Sequence, residues 1–192
     1  IGITIGETLV SFVLVLIIGT LIAMLLWWCR NAADILEPYF VVLNSLPKTA
    51  LAPILIVWLG NNMKTIIVCG VTMAVFSTII NLYTAFIHID SDKLLLIRTL
   101  GGTRRDILRY IVLPASISAI VSNLKVNIGL CLVGVIIGEF LAANAGLGYL
   151  IIYGSQVFRL DYVMLSIIIL CILAMVLYQL LSFVEKRYQK KQ

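Results

Sequence analysis

Long runs of apolar residues, separated by short polar segments, make up most of this 192-residue chain. A helix needs roughly 20 apolar residues to cross a hydrocarbon core of about 30 Å. The stretches long enough to do so are residues 5–28, 36–59, 64–87, 112–138 and 160–184. Because backbone groups in lipid must be hydrogen-bonded internally, this pattern predicts an all-α, polytopic membrane helical bundle with about five spans.

Composition agrees with a membrane location and excludes several other classes of protein. The chain is 62% hydrophobic and 12% charged, with a mean hydropathy of +1.12, so it cannot have the surface of a water-soluble globule. Its net charge of +5 does not indicate nucleic-acid binding, because the basic residues gather in residues 93–109 and 186–191. The four cysteines are scattered singly through apolar runs, so we expect no disulfide and no metal site.

The basic residues also predict the orientation of the spans in the membrane. Cytoplasmic loops are enriched in Lys and Arg, which places residues 90–111 and the C-terminal tail in the cytoplasm. Residues 60–63 and 139–159 then lie outside. Because the chain begins at Ile1, without a methionine and close to an apolar run, we expect a further span upstream. Residues 1–192 are predicted to form a single transmembrane domain.

Within the loop of residues 90–111, apolar residues at helical spacing alternate with charges on both sides of Gly101-Gly102. These apolar positions are Leu94, Ile97, Leu100, Ile107, Leu108 and Ile111. The pattern predicts two short amphipathic helices that meet at a glycine turn under the membrane. Periodicity alone fits equally a helix pair that docks into a groove on a soluble partner and one that anchors among lipid headgroups.

The same loop carries the first of several motifs that resemble a known family. Gly101, followed after nine residues by "IVLP" (111–114), matches the G-x9-I-x-L-P signature of the EAA loop in permease subunits of bacterial ABC importers. Upstream, "LNSLPKTALAPILIVWLG" (43–60) is similar to the "LRxxPxxALxPLxxxWFG" of the branch that carries sulfonates, taurine and nitrate. Downstream, Glu139 and "AGLGYLI" (145–151) resemble that branch's "E…GLGYLI". Because these motifs lie in unbroken order, the chain is identified as a member of this family.

Several positions depart from the family pattern. Leu95-Leu96-Ile97 stand where the family has E-A-A, so the acidic contact usually offered there is absent. Ser118 replaces a proline that often follows Pro114, and Asn123 replaces the glycine of a "GLR" motif. These differences bear on the coupling chemistry and on the substrate more than on the fold.

The resemblance implies a type I ABC importer permease, in which two copies of the bundle form a homodimer around a translocation path in the bacterial plasma (inner) membrane. Separate ATPase subunits would dock on the loop and bind ATP and Mg, and a substrate-binding protein would deliver a small solute. We therefore expect a transport subunit that binds no cofactor and is not an enzyme, and the chain indeed contains no Walker motif GxxxxGK[ST]. The implied ATPase-coupling residues are Arg98, Gly101, Gly102, Arg104, Arg105 and Pro114.

Polar residues in the second and fourth predicted spans are candidates for the translocation path. Prolines remove backbone hydrogen bonds and break helices, while a lysine in lipid costs roughly 2.5–3.5 kcal/mol on insertion scales. A water-filled path between the broken second span and a polar face of the fourth would relieve both costs. The candidates are Ser45, Pro47, Lys48, Pro53, Asn123, Lys125 and Asn127. The alternatives are a packing kink at the prolines, snorkelling of Lys48 to the interface, and polar contacts that only hold helices together.

The end of the fourth span predicts a tight turn on the outer side. Glu139 is followed by small residues and then by Gly146 and Gly148, which permit a looped path that must be buried in protein at membrane depth. In the resemblance, these three residues belong to the external gate. The sequence is equally compatible with Glu139 as a solvated residue at a helix end.

Two other classes of function fit the sequence less well. An intramembrane enzyme needs paired acidic groups, a Ser-His or Ser-Lys arrangement or metal ligands, and Glu139 is the lone acidic residue expected near the core. A self-sufficient channel or secondary transporter needs no ATPase and remains the alternative, although the loop signature favours the importer. The substrate stays open between small anions and neutral heterocycles.

Overall fold

The computed structural model describes residues 1–189 of the chain, except for the side chains of residues 91, 98 and 184–189. Its helices are α1 (Gly2–Trp28), α2 (Arg30–Ser45), α3 (Lys48–Leu59), α4 (Met63–Ile87), α5 (Ser91–Thr99), α6 (Arg104–Ile107), α7 (Leu113–Ala115), α8 (Ile117–Ala142), α9 (Leu147–Gln156) and α10 (Leu160–Gln189), with a π-helical turn at Leu108–Val112. The basic side chains of the tail, which contribute to the predicted orientation, lie outside the described residues.

Within the described residues, four helices are each long and apolar enough to cross a membrane: α1, α4, α8 and, over Leu160–Phe183, α10. A fifth span is present if α2 and α3, which meet at an angle of 94°, are counted together. The prediction of an all-α bundle with about five spans is confirmed in this sense. The second span differs from the prediction at its start, since α2 begins at Arg30 and not at residue 36.

Pro47 separates α2 from α3, whereas Pro53 does not interrupt α3. The residue before a proline is disfavoured in the α-helical region, and Leu46 is accordingly extended, with φ −62° and ψ 142°. Pro47 itself is the N-cap of α3. Pro53 lies inside α3, which continues past it to Leu59, so only Pro47 interrupts the span. An isolated proline removes one backbone hydrogen bond, which a packed membrane helix tolerates.

The core of the bundle is a close packing of α1, α4 and α8. The α4 helix meets α8 at two glycines, and a Cβ atom added to Gly134 would lie 2.8 Å from the Cα of Gly70. Ser11 of α1 packs on the same Gly70, and its hydroxyl donates a hydrogen bond to the Ile67 carbonyl oxygen over 3.1 Å. Small residues let membrane helices approach this closely. The resulting van der Waals contact holds the helices together, because in lipid there is no hydrophobic driving force for their association.

The two ends of the bundle differ in their connections. At the loop end, α1 and α4 finish, α5 to α7 follow and α8 begins, and Leu26, Phe86 and Ile107 pack together there. At the opposite end, which we call the turn end, α4 begins, α8 finishes and α9 follows α8. Ile66 and Ala142 share one apolar cluster there. The α1 helix therefore runs parallel to α4 and antiparallel to α8.

We expect Gly134→Ala to destabilise the bundle, because the new methyl group would meet the backbone of α4 and push the two helices apart. Overpacking of this kind costs about 1–3 kcal/mol. The matched control is Gly129→Ala on the same helix, where nothing lies within 4 Å of an added Cβ atom. Thermal unfolding of the purified protein in detergent compares the two variants, and equal melting temperatures would contradict a close α4–α8 contact.

Candidate functional site

Gly101 makes the predicted turn in the loop of residues 90–111. Its φ of +79° is a left-handed conformation that glycine adopts freely and most side chains do not. The Gly102 amide donates to the Ile97 carbonyl oxygen over 2.9 Å, which closes the end of α5 as in a Schellman motif. A Cβ atom on Gly102 would overlap the Ile97 side chain. The predicted glycine turn between two helices is confirmed.

Thr103 and Asp106 start the helix that follows this turn. The Thr103 hydroxyl accepts a hydrogen bond from the Asp106 amide, and the Thr103 amide donates to the Asp106 carboxylate over 2.8 Å. This capping box fixes the first turn of α6. Hydrogen bonds from the Thr103 side chain and amide hold the pKa of the Asp106 carboxyl below its usual value.

The second loop helix is the beginning of the fourth span and not a separate element. The α6 helix continues through the π-helical turn at Leu108–Val112 into α7 and α8. Pro114 lies in the first turn of α7, where its missing N–H removes a helical hydrogen bond. Prolines and π turns are the usual places where helices bend. The loop and the fourth span therefore form one continuous helical segment.

The inner side of this segment is packed into the bundle. Ile107 and Val112 are buried in the apolar cluster formed by the ends of α1 and α4. The Arg104 guanidinium donates to the Trp28 carbonyl oxygen over 3.1 Å. Trp28 ends α1, and a cation is favoured there by the helix dipole. The loop is thus attached to both helices that finish at this end.

The outer side of the loop combines charge with exposed apolar residues. Arg105 is exposed. The exposed apolar side chains are Leu95 at 59%, Leu96 at 59% and Leu100 at 75%. The side chain of Arg98, also predicted to take part in coupling, lies outside the described residues. This side is therefore open to a partner or to lipid headgroups.

Lys48 lies at the bend between α2 and α3 and is tied to α4. Its ammonium group donates to the Asn44 side-chain oxygen over 2.9 Å and to the Met73 carbonyl oxygen over 3.0 Å. Because Met73 lies near the middle of α4, the alternative of snorkelling to the interface is wrong for this lysine. Ser45 and Pro47 beside it are exposed.

The predicted polar face of the fourth span divides into two. Asn123 and Asn127 are both buried, and the Asn81 amide of α4 donates to Asn123 Oδ1 over 3.4 Å. Lys125 instead lies over the Tyr178 ring of α10, 5.7 Å from its centroid. Residues two apart on a helix point about 200° away from each other. Asn123 and Asn127 therefore share the face that is buried in the bundle, whereas Lys125 points away from it toward α10.

At the turn end, Glu139 and Thr4 together hold the start of α9. The Gly148 amide donates to Glu139 Oε2 over 2.6 Å, and the Leu147 amide donates to Thr4 Oγ1 over 3.0 Å. Both amides belong to the first turn of a helix, where N–H groups have no internal partner and an anion is favoured. Glu139 is fully buried, so the alternative of a solvated helix-end residue is wrong.

The glycines on both sides of Leu147 leave the room that this carboxylate occupies. Gly146 is the N-cap of α9, with φ +122°. An added Cβ atom at Gly146 or at Gly148 would collide with the Glu139 side chain. The three residues predicted for the external gate therefore lie together in the structure, and their role as a gate stays a prediction.

A second buried carboxyl group, which sequence reasoning missed, lies beside Glu139. Glu7 of α1 is 1% exposed, and its carboxyl group lies next to that of Glu139. Because two adjacent buried carboxylates would repel each other, we infer that the pair shares one proton. Glu139 is thus not the lone acidic residue of the core. An acid inside an apolar run is the signal that identifies Glu7 as a candidate.

Known proteins share the sequence pattern of this chain. The family model of the binding-protein-dependent transport system inner membrane component matches residues 15–190. A "Probable ABC transporter permease protein" of Haemophilus influenzae is 26% identical over 97% of this chain and 76% of its own length. The formylaminopyrimidine transport permease protein of Halalkalibacterium halodurans is 26% identical over 73% of this chain, which spans 56% of that protein.

Solved structures of transporters share the fold. The inward-facing MetNI methionine ABC transporter matches with a TM-score of 0.79 at 20% identity, covering 98% of this chain and 92% of the other. An amino acid ABC transporter with histidines matches with a TM-score of 0.75 at 17% identity, covering 96% and 90%. At this identity the likeness concerns the fold alone, and it confirms the expected architecture of a type I importer permease.

We expect Glu7→Gln to be tolerated and Glu7→Leu to destabilise the turn end. A glutamine amide can donate a hydrogen bond to the neighbouring Glu139 carboxylate in place of a shared proton. Leucine leaves a buried oxygen of Glu139 without a donor, at a cost of about 1–3 kcal/mol. Thermal unfolding of the purified protein measures both variants. Melting temperatures that fall equally for glutamine and leucine would contradict the proton-sharing pair.

Proposed function

We propose that the loop of residues 90–111 binds an ATPase. This chain belongs to the family of binding-protein-dependent transport system inner membrane components. It is therefore a transmembrane permease subunit of an ATP-driven importer. ATPase subunits and a substrate-binding protein are the general partners of such permeases, which are integral inner-membrane proteins. The observation that carries the proposal is the two-sided loop, anchored in the bundle on one side and open on the other.

The outer side of the loop suits a soluble partner. Leu95, Leu96 and Leu100 expose apolar surface beside the basic Arg105. A short amphipathic helix with such anchors fits a hydrophobic groove on another protein. In this proposal the ATPase binds ATP and Mg, and the permease supplies only the docking helix.

Movement of the ATPase reaches the spans through the inner side of the loop. Ile107 and Val112 pack against the ends of α1 and α4, and Arg104 holds the last turn of α1. The loop also runs directly into α8, so a displacement acts on three helices at once. The π-helical turn is where this helical segment bends most easily. The arrangement supports a rigid-body switch between inward-facing and outward-facing states.

The translocation path in this proposal lies between two copies of the chain, related by a twofold axis. The bend between α2 and α3 brings the polar Lys48 to mid-bundle. Val57 and Trp58 of α3 are 82% and 79% exposed, which offers apolar surface to a second copy. Asn127 is fully buried, yet neither atom of its amide has a hydrogen-bond partner among the described residues. Because Asn127 is enclosed within one subunit, it does not line a path between two copies in this conformation.

The turn end faces the substrate-binding protein in this proposal. The basic loop and the C-terminus lie in the cytoplasm by the positive-inside rule, which puts α9 outside. Glu139 and Thr4 join the first turn of α9 to α8 and α1. These contacts hold the turn end closed, and opening the path there requires them to be exchanged.

The substrate we propose is a small heterocycle. The Halalkalibacterium halodurans relative is named for transport of a formylaminopyrimidine, which is a heterocycle. The Lys48 ammonium is bonded to Asn44 and to α4, and Lys125 lies over Tyr178. These uncharged partners do not balance a positive charge on either lysine, so the two lysines do not distinguish an anionic heterocycle from a neutral one.

We expect Gly101→Val to reduce ATPase association roughly tenfold while the protein still inserts into the membrane. A left-handed conformation costs a side chain about 1–2 kcal/mol, and a β-branched residue at the φ of +79° is a genuine outlier. Gly101→Asn is the matched control, because asparagine adopts this conformation readily.

Co-purification of the ATPase and ATP-driven uptake into reconstituted vesicles measure both Gly101 variants. Wild-type uptake by Gly101→Val would make the loop a lipid anchor rather than a coupling element. Uptake that needs no ATPase at all would favour a channel or secondary transporter.

A further inference from the structure

A cavity of about 350 Å³ lies at the loop end, between the end of α1, the start of α2, the end of α4 and the loop helices. Its floor is apolar and buried, since Leu26, Phe86 and Ile107 are at most 3% exposed. Its rim carries the charged side chains of Arg30, Asp34, Glu37 and Arg104. A charged rim above an apolar floor is a lining for an amphiphile rather than for a soluble ion.

The charges of the rim balance one another. Arg30, Asp34 and Glu37 lie on one face of α2, at spacings of four and three residues, and Arg104 of the loop lines the same cavity. Among the described side chains, none of the four forms an ion pair with another, although Arg104 also holds the Trp28 carbonyl oxygen. The rim therefore presents separate positive and negative groups with no net charge.

We infer that this cavity binds the phosphoethanolamine headgroup of a membrane lipid. The guanidinium of Arg30 offers paired donors that match phosphate oxygens. The carboxylates of Asp34 and Glu37 accept hydrogen bonds from a primary ammonium group. A choline headgroup has no N–H to donate, and an anionic glycerol headgroup leaves both carboxylates without a cation. The balanced rim thus selects a zwitterion that carries a primary amine.

The position of the cavity favours a lipid as the source of this group. Trp27 lines it, and tryptophan is enriched where membrane meets water. Ile87 and Leu94 extend the apolar wall along which acyl chains would run. Because Arg104 belongs to the loop and Asp34 to α2, a bound headgroup would join the loop to the broken span. The inference depends on the membrane placement of the loop end and not on the transport role.

Native mass spectrometry of the complete importer tests the inference, after release from nanodiscs with equal amounts of phosphatidylethanolamine, phosphatidylglycerol and phosphatidylcholine. We expect the wild type to retain phosphatidylethanolamine above the other two. Arg30→Gln should lower this retention by up to about fivefold, the upper range for exposed charge pairs. The double variant Asp34→Asn/Glu37→Gln keeps only positive charges on the rim and should retain phosphatidylglycerol instead.

The matched control is the double variant Arg159→Gln/Asp161→Asn, which removes an exposed ion pair at the turn end and should behave as the wild type. Equal retention of the three lipids by the wild type, or an unchanged preference in both rim variants, would overturn the inference.

Soluble phosphoethanolamine, added to the importer in nanodiscs without phosphatidylethanolamine, separates the two sources of the same chemical group. We expect no retained adduct, because the soluble compound gains no contact with the apolar floor. An adduct as abundant as that of the lipid would overturn the assignment to a membrane lipid.

Discussion

The first N–H groups and the last C=O groups of a helix have no partner within that helix. Inside an apolar bundle they need polar partners from elsewhere, and the rest of this structure is arranged around that requirement. Where α9 begins, Glu139 and Thr4 accept hydrogen bonds from its first amides. Where α2 bends away from α3, Lys48 ties the bend to a carbonyl oxygen of α4. Where α1 ends, Arg104 donates to its last turn. At the end of α1 and at the start of α9 the partner comes from another helix, and at the α2–α3 bend Lys48 reaches the middle of α4, so each of these places is tied to a neighbouring helix.

In the proposed mechanism, these contacts lie at the places at which the importer has to move. A buried polar group that loses its partner costs on the order of 1–3 kcal/mol by mutational measures. A switch between two states must therefore exchange the partners of these groups and cannot simply remove them. On this account, the loop end and the turn end each have two alternative sets of contacts. Two such sets suit a transporter whose partner ATPase alternates between two nucleotide states.

Local features of the fold are predictable from short stretches of sequence, whereas contacts between distant helices are not. Gly101 predicts a turn because its conformation is a property of one residue, and Pro47 predicts a break because it restricts the residue before it. The contact of Glu7 with Glu139 joins opposite ends of the chain, and no spacing rule connects them. A helical wheel separates Lys125 from the two asparagines nearby, but which helix meets each side depends on tertiary packing.

Site-specific photo-crosslinking in the complete importer tests the account most directly. Leu100 is 75% exposed at the loop end, and Phe158 is 90% exposed at the turn end. Each can be replaced in turn by a photoreactive phenylalanine analogue. The account predicts that the probe at position 100 forms an adduct with the ATPase and that the probe at position 158 does not. An ATPase adduct at position 158, or at neither position in an assembled complex, would contradict it.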